Sequence, residues 1–180
     1  MQPESRTLRS GFLRSAERFP DRPALQFAGE TLSYRHLLAR ASRLASTLAS
    51  QARASEPALT GVFGHRSITA YAAVVAGLLR GHGYVPFNPN FPTDRTRSML
   101  VHSDCRNIIV DEHGAQQLDE VLDGVENELL ILLPDEQDVS ALAGRWPQHR
   151  FLGARDLRDA GTVPPLLFNL AKLIREKLSI

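Results

Sequence analysis

The sequence predicts an α/β domain with an open, mostly parallel sheet, helices on both faces of that sheet, and a small β-hairpin before it. Strand-like and helix-like segments alternate along the chain. Short apolar runs such as residues 58–64 and 129–134 have the length of buried strands. The longer segments between such runs carry apolar residues at the spacing of one helix face.

Length and composition limit the class of protein. The chain has 180 residues, of which 43% are hydrophobic, enough to bury the core of one ordinary domain. Its 21 basic and 20 acidic residues give a net charge of +1, which provides no general attraction to nucleic acid or anionic lipid. No apolar stretch approaches the ~18 residues of a membrane-spanning helix. Cys105 is the one cysteine, so no internal disulfide forms, and we expect a cytoplasmic protein.

The first segment, residues 1–19, is rich in arginine and serine and has two interpretations. An organelle transit peptide has this composition, but Glu4 and Glu17 argue against one. We prefer a first surface helix, because its apolar residues recur at helical spacing: Phe12, Leu13, Ala16 and Phe19.

A hairpin and a long helix follow. Ala24–Phe27 and Thr31–Ser33 form the two strands, with a turn at Gly29–Glu30. Ser33 is placed to cap the next helix. That helix has the clearest periodicity in the chain, with an apolar face made of Tyr34, Leu37, Leu38, Ala41, Leu44, Ala45 and Leu48.

A βαβ unit comes next. A buried strand at residues 58–64 leads to a helix opened by Arg66 or Ser67, and a second strand follows at 84–87. Gly81 and Gly83 end the helix, as glycine does where the backbone turns left-handed. This order predicts two parallel strands joined by a right-handed crossover.

The stretch "GHGYVPFNPNFPTDR", residues 81–95, predicts a rigid corner after the second strand of this unit. Phe87 and Phe91 are expected to pin the corner to the core, and Thr93 to cap a helix that runs to about Ser103. Three prolines prevent the preceding helix from continuing and fix the exit path: Pro86, Pro89 and Pro92.

The rest of the chain repeats the alternation. Residues 1–163 are predicted to form the partial domain, and 164–180 a C-terminal amphipathic helix that begins with proline. The predicted elements are a strand at 106–112, a helix at 115–125, a strand at 129–134, a short helix at 138–146 and a fifth strand at 149–154. The apolar face of the last helix consists of Leu167, Leu170, Ala171, Ile174 and Leu178.

Common catalytic signatures are missing from the sequence. It has no phosphate-binding glycine loop, no nucleophile elbow and no zinc-spaced cysteines or histidines. The triplet "DEH" at 111–113 predicts a solvated turn, because neighbouring side chains on an extended chain point in different directions. His65 and His82 lie near element ends where ligands gather, although capping and packing roles suit them better. Cys105 has no nearby base and is interpreted as a small residue at a strand entrance.

Two longer stretches resemble motifs of one enzyme superfamily. "LSYRHLLARASRLASTL", residues 32–48, resembles the first conserved motif of adenylate-forming enzymes, which include acyl-CoA synthetases and nonribosomal-peptide adenylation domains. "GLLRGHGYVPFNPNFPTDRTRSML", residues 77–100, resembles the second, with Asn88 in place of the usual aspartate and Phe91 in place of tyrosine. "FPDRPAL", residues 19–25, also matches, so the resemblance covers about residues 7–112. The positions that match the second motif in order are Gly83, Tyr84, Val85, Pro86, Pro89, Pro92 and Arg95.

This resemblance implies the N-terminal subdomain of an adenylate-forming enzyme. The whole enzyme would use ATP and magnesium to convert a carboxylate to its adenylate, with release of pyrophosphate. It would then pass the acyl group to a thiol of coenzyme A or of a carrier protein. The two matched motifs are chiefly scaffold in that family, and its phosphate loop and catalytic lysine come later in the sequence.

The chain itself lacks a site for that chemistry. No Gly/Ser/Thr-rich loop follows residue 100, and the only lysines are Lys172 and Lys177 on the predicted last helix. We therefore expect no catalytic, cofactor-binding or metal-binding residue in this chain. It is expected to be the N-terminal part of an ATP-dependent carboxylate-activating ligase, inactive alone, whether an excised piece, a split-gene product or a degenerate remnant.

Two other functions stay open. A degenerate adenylation domain could act as a protein-interaction module that docks a synthetase, a carrier protein or a second copy of itself. A free-standing flavodoxin-like nucleotide binder is the third possibility, and the absence of an anion-binding loop makes it the weakest. The expected partners are the remainder of the enzyme or a carrier protein.

Overall fold

The computed structural model describes residues 7–51, 53 and 57–159 of the chain. The predicted helix at 164–180 lies outside these ranges. The described helices are α1 (Leu8–Arg18), α2 (Tyr34–Ala49), α3 (Ile68–Leu79), α4 (Thr93–Ser103), α5 (Glu112–Leu122) and α6 (Ser140–Arg145), with a 3₁₀ turn at Ala154–Asp156. The strands are β1 (Pro23–Phe27), β2 (Glu30–Ser33), β3 (Leu59–Phe63), β4 (Gly83–Phe87), β5 (Asn107–Val110), β6 (Leu130–Leu132) and β7 (Arg150–Leu152).

The main sheet has five strands in the order β4-β3-β5-β6-β7, and each neighbouring pair is parallel. β1 and β2 form a separate antiparallel hairpin. Both features confirm the predicted fold class. In the described ranges, no helix is long and apolar enough to cross a membrane.

Helices cover both faces of the sheet, as predicted. Side chains of each strand alternate between two apolar clusters, so Val62 belongs to one cluster and Phe63 to the other. We call the face packed by α1, α2 and α3 the first face, and the face packed by α4 and α5 the second. Buried strand residues of the first face are Val62, Ile109, Leu130 and Leu132; those of the second are Phe63, Phe87, Ile108, Val110 and Ile131.

The strand order reverses once. From β3 the chain moves outward to β4 through α3 on the first face, and it then passes back beyond β3 to β5 through α4 on the second. A reversal of direction together with a change of face is what constant crossover handedness requires. The connections that leave β3 and β5 therefore diverge to opposite faces, and these two neighbouring strands form the topological switch point.

Side-chain caps set several helix starts. The His36 N–H donates to Ser33 Oγ at 3.4 Å, so Ser33 is a cap as predicted. The Ala70 N–H donates to Ser67 Oγ at 3.0 Å, so Ser67, of the two residues considered, caps α3. The prediction for Thr93 was wrong. It is the first residue of α4, and the preceding Pro92, which offers no side-chain acceptor, occupies the cap position.

The hairpin turn lies one residue earlier than the sequence predicts. Ala28 and Gly29 have φ angles of 50° and 84°, and Glu30 already pairs with Phe27. A two-residue turn with positive φ at both positions matches the twist of the flanking strands, which explains this choice. Alanine is unusual at such a position, so the residue type at 28 did not indicate the turn.

The corner at residues 81–95 follows the prediction in part. Gly81 ends α3 with a φ of 75°, whereas Gly83 is the first residue of β4. Phe87 is buried in the second-face cluster, as expected. Phe91 does not reach a core cluster; it lies half-buried, with the Arg95 guanidinium carbon 4.1 Å from its ring centroid.

Later elements are shorter or earlier than predicted. Helix α5 begins and ends three residues before the predicted 115–125, because Asp111 caps it directly after β5. The predicted strand at 106–112 shrinks to Asn107–Val110 for the same reason. Strands β6 and β7 keep only three residues each.

Candidate functional site

The carboxyl edge of the sheet at the β3–β5 switch point is the candidate site. In open α/β sheets, ligands bind in the crevice where neighbouring connections diverge to opposite faces. The loops that border this crevice are residues 64–67 after β3 and residues 111–113 after β5. Their side chains decide what the crevice can hold.

The side chain of Asp111 lies buried between the two loops that border this crevice. Its Oδ2 accepts hydrogen bonds from the His65 N–H at 2.9 Å and from Ser67 Oγ at 2.6 Å. Its Oδ1 accepts the N–H groups of His113 at 3.0 Å and Gly114 at 2.8 Å. The residue is 2% exposed. One carboxyl group thus ties the loop after β3 to the first turn of α5.

Gly64 makes room for this carboxyl group. A Cβ atom at Gly64 would overlap Oδ2 and Cγ of Asp111. The Gly64 N–H donates to the Phe87 carbonyl of β4 at 3.1 Å, and the Asp111 N–H donates to the Phe63 carbonyl at 3.0 Å. Glycine is therefore required by close approach at the centre of the switch point.

The prediction of a solvated turn at 111–113 was wrong. Asp111 is buried and caps α5, and Glu112 and His113 belong to its first turn. The sequence carried a signal that would have found this cap, since an aspartate after a buried strand and before a helical run is a preferred N-cap.

The two histidines singled out by the sequence lie at opposite edges of the sheet. His65 is at the carboxyl edge, where its ring centroid lies 6.4 Å from that of His113 and its Nδ1 is 3.4 Å from Asn90 Nδ2. His82 precedes β4 at the amino edge, with its Nδ1 3.2 Å from Thr60 Oγ1. Of the two, only His65 borders the switch point.

A third carboxylate reaches this edge after β6. Thr69 Oγ1 donates to Asp135 Oδ1 at 2.9 Å. Part of the Asp135 side chain is exposed, yet the surrounding protein removes enough water to raise the pKa of its carboxyl. Asp111 and Glu112 raise this pKa further, whereas the Thr69 hydrogen bond and Arg40 lower it. Three carboxyl groups therefore lie near this edge: Asp111, Glu112 and Asp135.

At this edge, side chains of the chain itself accept N–H groups of the two helix N-termini. Phosphates bind where helix N-termini offer free N–H groups. Here Ser67 accepts one N–H from the first turn of α3, and Asp111 accepts two from that of α5. Within the described ranges, no group of three His, Cys, Asp or Glu side chains is placed to hold a metal ion.

Cys105 lies away from this edge. It is 2% exposed, precedes β5 and packs in the second-face cluster, as its sequence position predicts. Burial is the main cause that raises the pKa of its thiol; Asp104 adds to the shift and a hydrogen bond with Ser103 opposes it. These surroundings do not produce a nucleophilic thiolate.

The chain is thus a doubly wound α/β domain. At its switch point, the buried carboxyl group of Asp111 is hydrogen-bonded to Ser67. Comparison with known proteins identifies the family. The model of the AMP-binding enzyme family matches residues 12–156, and the chain belongs to this family. Its members form adenylates from ATP.

Similar proteins are larger than this chain. Tyrocidine synthase 3 of Brevibacillus parabrevis is 32% identical over 117 residues, which make up 64% of this chain and 2% of the synthase. The crystal structure of IdnL7 is 35% identical with a TM-score of 0.65, over 73% of this chain and 25% of IdnL7. The Vibrio cholerae adenylation domain AlmE, solved with glycyl-adenosine-5'-phosphate, shares the fold at 24% identity and a TM-score of 0.70, over 91% of this chain and 31% of AlmE.

Proposed function

We propose that this chain provides the N-terminal scaffold of an ATP-dependent enzyme that activates a carboxylate as its adenylate, and that it does not perform this reaction alone. Family membership supports the first half. The switch point supports the second half, and this observation carries the proposal. Ser67 and Asp111 accept N–H groups at the helix N-termini where a phosphate would bind.

The scaffold role follows from where the matched motifs lie. The first, residues 32–48, is helix α2, which packs against α3 on the first face. The second, residues 77–100, spans the end of α3, strand β4 and most of α4, and so links both faces around the edge of the sheet. These segments hold the sheet in shape, and ATP and the carboxylate would bind to parts of the enzyme that follow in the family.

Similarity to known synthetases limits the classes of substrate and acyl acceptor that we propose for the complete enzyme. Similarity to nonribosomal peptide synthetases, one of which was solved with α-methyl-L-serine-AMP, favours an amino acid as the carboxylate and a carrier protein as the acyl acceptor, over coenzyme A. ATP is the proposed cofactor of the complete enzyme, together with magnesium. The proposed location is the cytoplasm, where ATP is available.

Two assays test this proposal. In the first, the chain alone is assayed for amino-acid-dependent exchange of pyrophosphate into ATP, and we expect no exchange above a no-enzyme control. In the second, residues 12–156 replace the matching segment of IdnL7, and we expect the folded chimera to catalyse the exchange. Exchange by the chain alone would refute the second half of the proposal. A folded but inactive chimera would refute the first half.

A protein-interaction role is the second candidate function. It is favoured by two tyrosines, Tyr71 on α3 and Tyr84 on the edge strand β4, each of which is 42% exposed. Helix α3 is apolar along most of its length, and such helices are usually covered on all sides. This role predicts that a carrier protein binds the chain in solution and that Tyr71→Ser with Tyr84→Ser abolishes the binding. Absence of binding would exclude it.

A further inference from the structure

A cleft on the first face presents two arginine side chains that form no salt bridge in the described part of the chain. Its volume is about 200 Å³, and it lies between α2, the first turns of α3 and the loop after β6. In the described part of the chain, no carboxyl oxygen forms a salt bridge with Arg40 or Arg43. The lining residues are Arg40, Arg43, Leu44, Thr69, Ala72, Pro134, Asp135 and Leu157.

Arg43 carries the most informative atom in this cleft. Its Nε is buried and has no hydrogen-bond acceptor. A buried charged donor without an acceptor is costly, and native proteins usually satisfy one with an ion or water. An anion in the cleft would supply the acceptor.

The sequence of α2 increases the need for an external anion. Tyr34–Ala49 contains no acidic residue, so nothing on the helix offsets its arginines. Arg40 and Arg43 are three residues apart and lie on the same side of the helix, where like charges repel. Arg35 differs from both, because it pairs with Asp21 at 3.0 Å.

The opposite wall combines a helix start with one carboxyl group. Thr69 lies in the first turn of α3, where the helix dipole is positive. Its hydroxyl donates to Asp135, and Asp135 is the one acid that lines the cleft. Leu44, Ala72, Pro134 and Leu157 supply the apolar part of the lining.

We propose that this cleft binds a small free oxyanion of the phosphate or sulfate type, held by the guanidinium groups of Arg40 and Arg43 beside the first turn of α3. Two planar guanidinium forks suit the several oxygens of a tetrahedral anion. The cleft lies beside α2 on the first face, and the proposal does not depend on the proposed function.

Asp135 links this binding to pH. The groups that face it are Arg40 from α2, Thr69 from α3, and Asp111 and Glu112 at the end of β5 and the start of α5, and burial raises its pKa. An ionised Asp135 repels a bound oxyanion, whereas the protonated carboxyl donates a hydrogen bond to it. Anion affinity therefore rises as pH falls.

The test is calorimetric titration of sulfate into the whole chain at constant ionic strength, from about pH 4, near the ordinary pKa of aspartate, to about pH 8. Sulfate keeps the same charge over this range, so any pH dependence belongs to the protein; phosphate serves as a second probe. We expect Arg43→Gln to weaken sulfate binding at least about tenfold. The matched control, Arg35→Gln on the same helix, should bind sulfate as the wild type does.

Asp135→Asn tests the link to pH. At about pH 8 this variant should bind sulfate as tightly as the wild type does at the lowest pH, and its affinity for sulfate should not change with pH. The proposal is overturned if sulfate binding does not exceed that of chloride at matched ionic strength. It is also overturned if folded Arg43→Gln, judged by circular dichroism, binds as the wild type does, or if Arg35→Gln loses affinity to the same extent.

Discussion

Ser67 Oγ and Asp111 Oδ2 lie 2.6 Å apart and join two loops that are 44 residues apart in sequence. Ser67 caps α3 and Asp111 caps α5, so one hydrogen bond connects the starts of two helices on opposite faces of the sheet. The same Asp111 oxygen accepts the His65 N–H. The switch point of the sheet is therefore fixed by a single buried carboxyl group.

Asp111→Ala should lower the free energy of unfolding by about 3 kcal/mol or more, because four donors lose their acceptor and α5 loses its cap. Urea unfolding followed by circular dichroism measures this change. Asp138→Ala is the matched control: Asp138 is exposed and accepts one N–H, from Ser140, so its loss should cost clearly less.

Asp111→Asn separates the two halves of this network. The remaining oxygen can still accept the N–H groups of α5, while the new NH₂ group faces the Ser67 hydroxyl and the His65 N–H. Its stability should fall between those of the wild type and Asp111→Ala. Equal stability of all three proteins would show that the buried carboxyl group is not needed.

Gly64→Ala should destabilise the protein by about 1–3 kcal/mol, because the added methyl group overlaps the Asp111 carboxyl in a packed interior. Gly144→Ala is the control. It lies inside α6 with no atom within 4 Å of the added carbon, and alanine is the better helix former. Thermal unfolding of both variants compares them directly, and a neutral Gly64→Ala would contradict the close approach.

The sequence predicted the fold well where the signal was local. The apolar stripe of α2 identified a helix that packs on the sheet. The short apolar runs of β3, β5 and β6 identified parallel strands, because strands that are buried on both faces consist largely of apolar residues. The sequence could not show that Asp111 also accepts hydrogen bonds from Ser67 and His65, which are 44 and 46 residues away in sequence. It also failed at Ala28, because a positive φ at alanine is set by strand twist and not by the residue's own preference.

The cleft at Arg40 and Arg43 was equally invisible in the sequence. Neither residue belongs to the apolar face of α2, and the segments that enclose them, α3 and the loop after β6, are distant in sequence. The matched family motifs pointed to scaffold, and family membership is confirmed. The absence of catalytic residues in this chain stays a prediction, tested by the exchange assay.

Stability should fall as the pH is lowered through the ordinary pKa of histidine, because of His149. This residue is 4% exposed, neither ring nitrogen has a hydrogen-bond partner, and it lies between Trp146 and Phe151. Burial lowers its pKa, against a smaller opposing effect of Glu128. The folded state keeps the ring neutral, while the unfolded chain takes up a proton below about pH 6.5.

The pH dependence can be assigned with one substitution. His149→Leu should flatten the decline in the free energy of unfolding between about pH 7.5 and pH 5, because the unfolded state no longer gains a proton there. His102→Leu, at an exposed histidine, should keep the wild-type decline. A decline that persists unchanged in His149→Leu would assign it to other groups.

Cys105 should react with Ellman's reagent only when the second-face cluster opens. The thiol is 2% exposed and burial raises its pKa, so both access and thiolate formation are restricted in the folded state. At pH near 8, the native protein should react far more slowly than the urea-unfolded chain, and the reaction rate should report the free energy of opening.

Asp111→Ala, which loosens the switch point between β3 and β5, should then raise the rate at which Cys105 reacts, whereas Asp138→Ala should change that rate little. Rapid reaction of the native thiol would show that Cys105 is accessible and would contradict its place in the core.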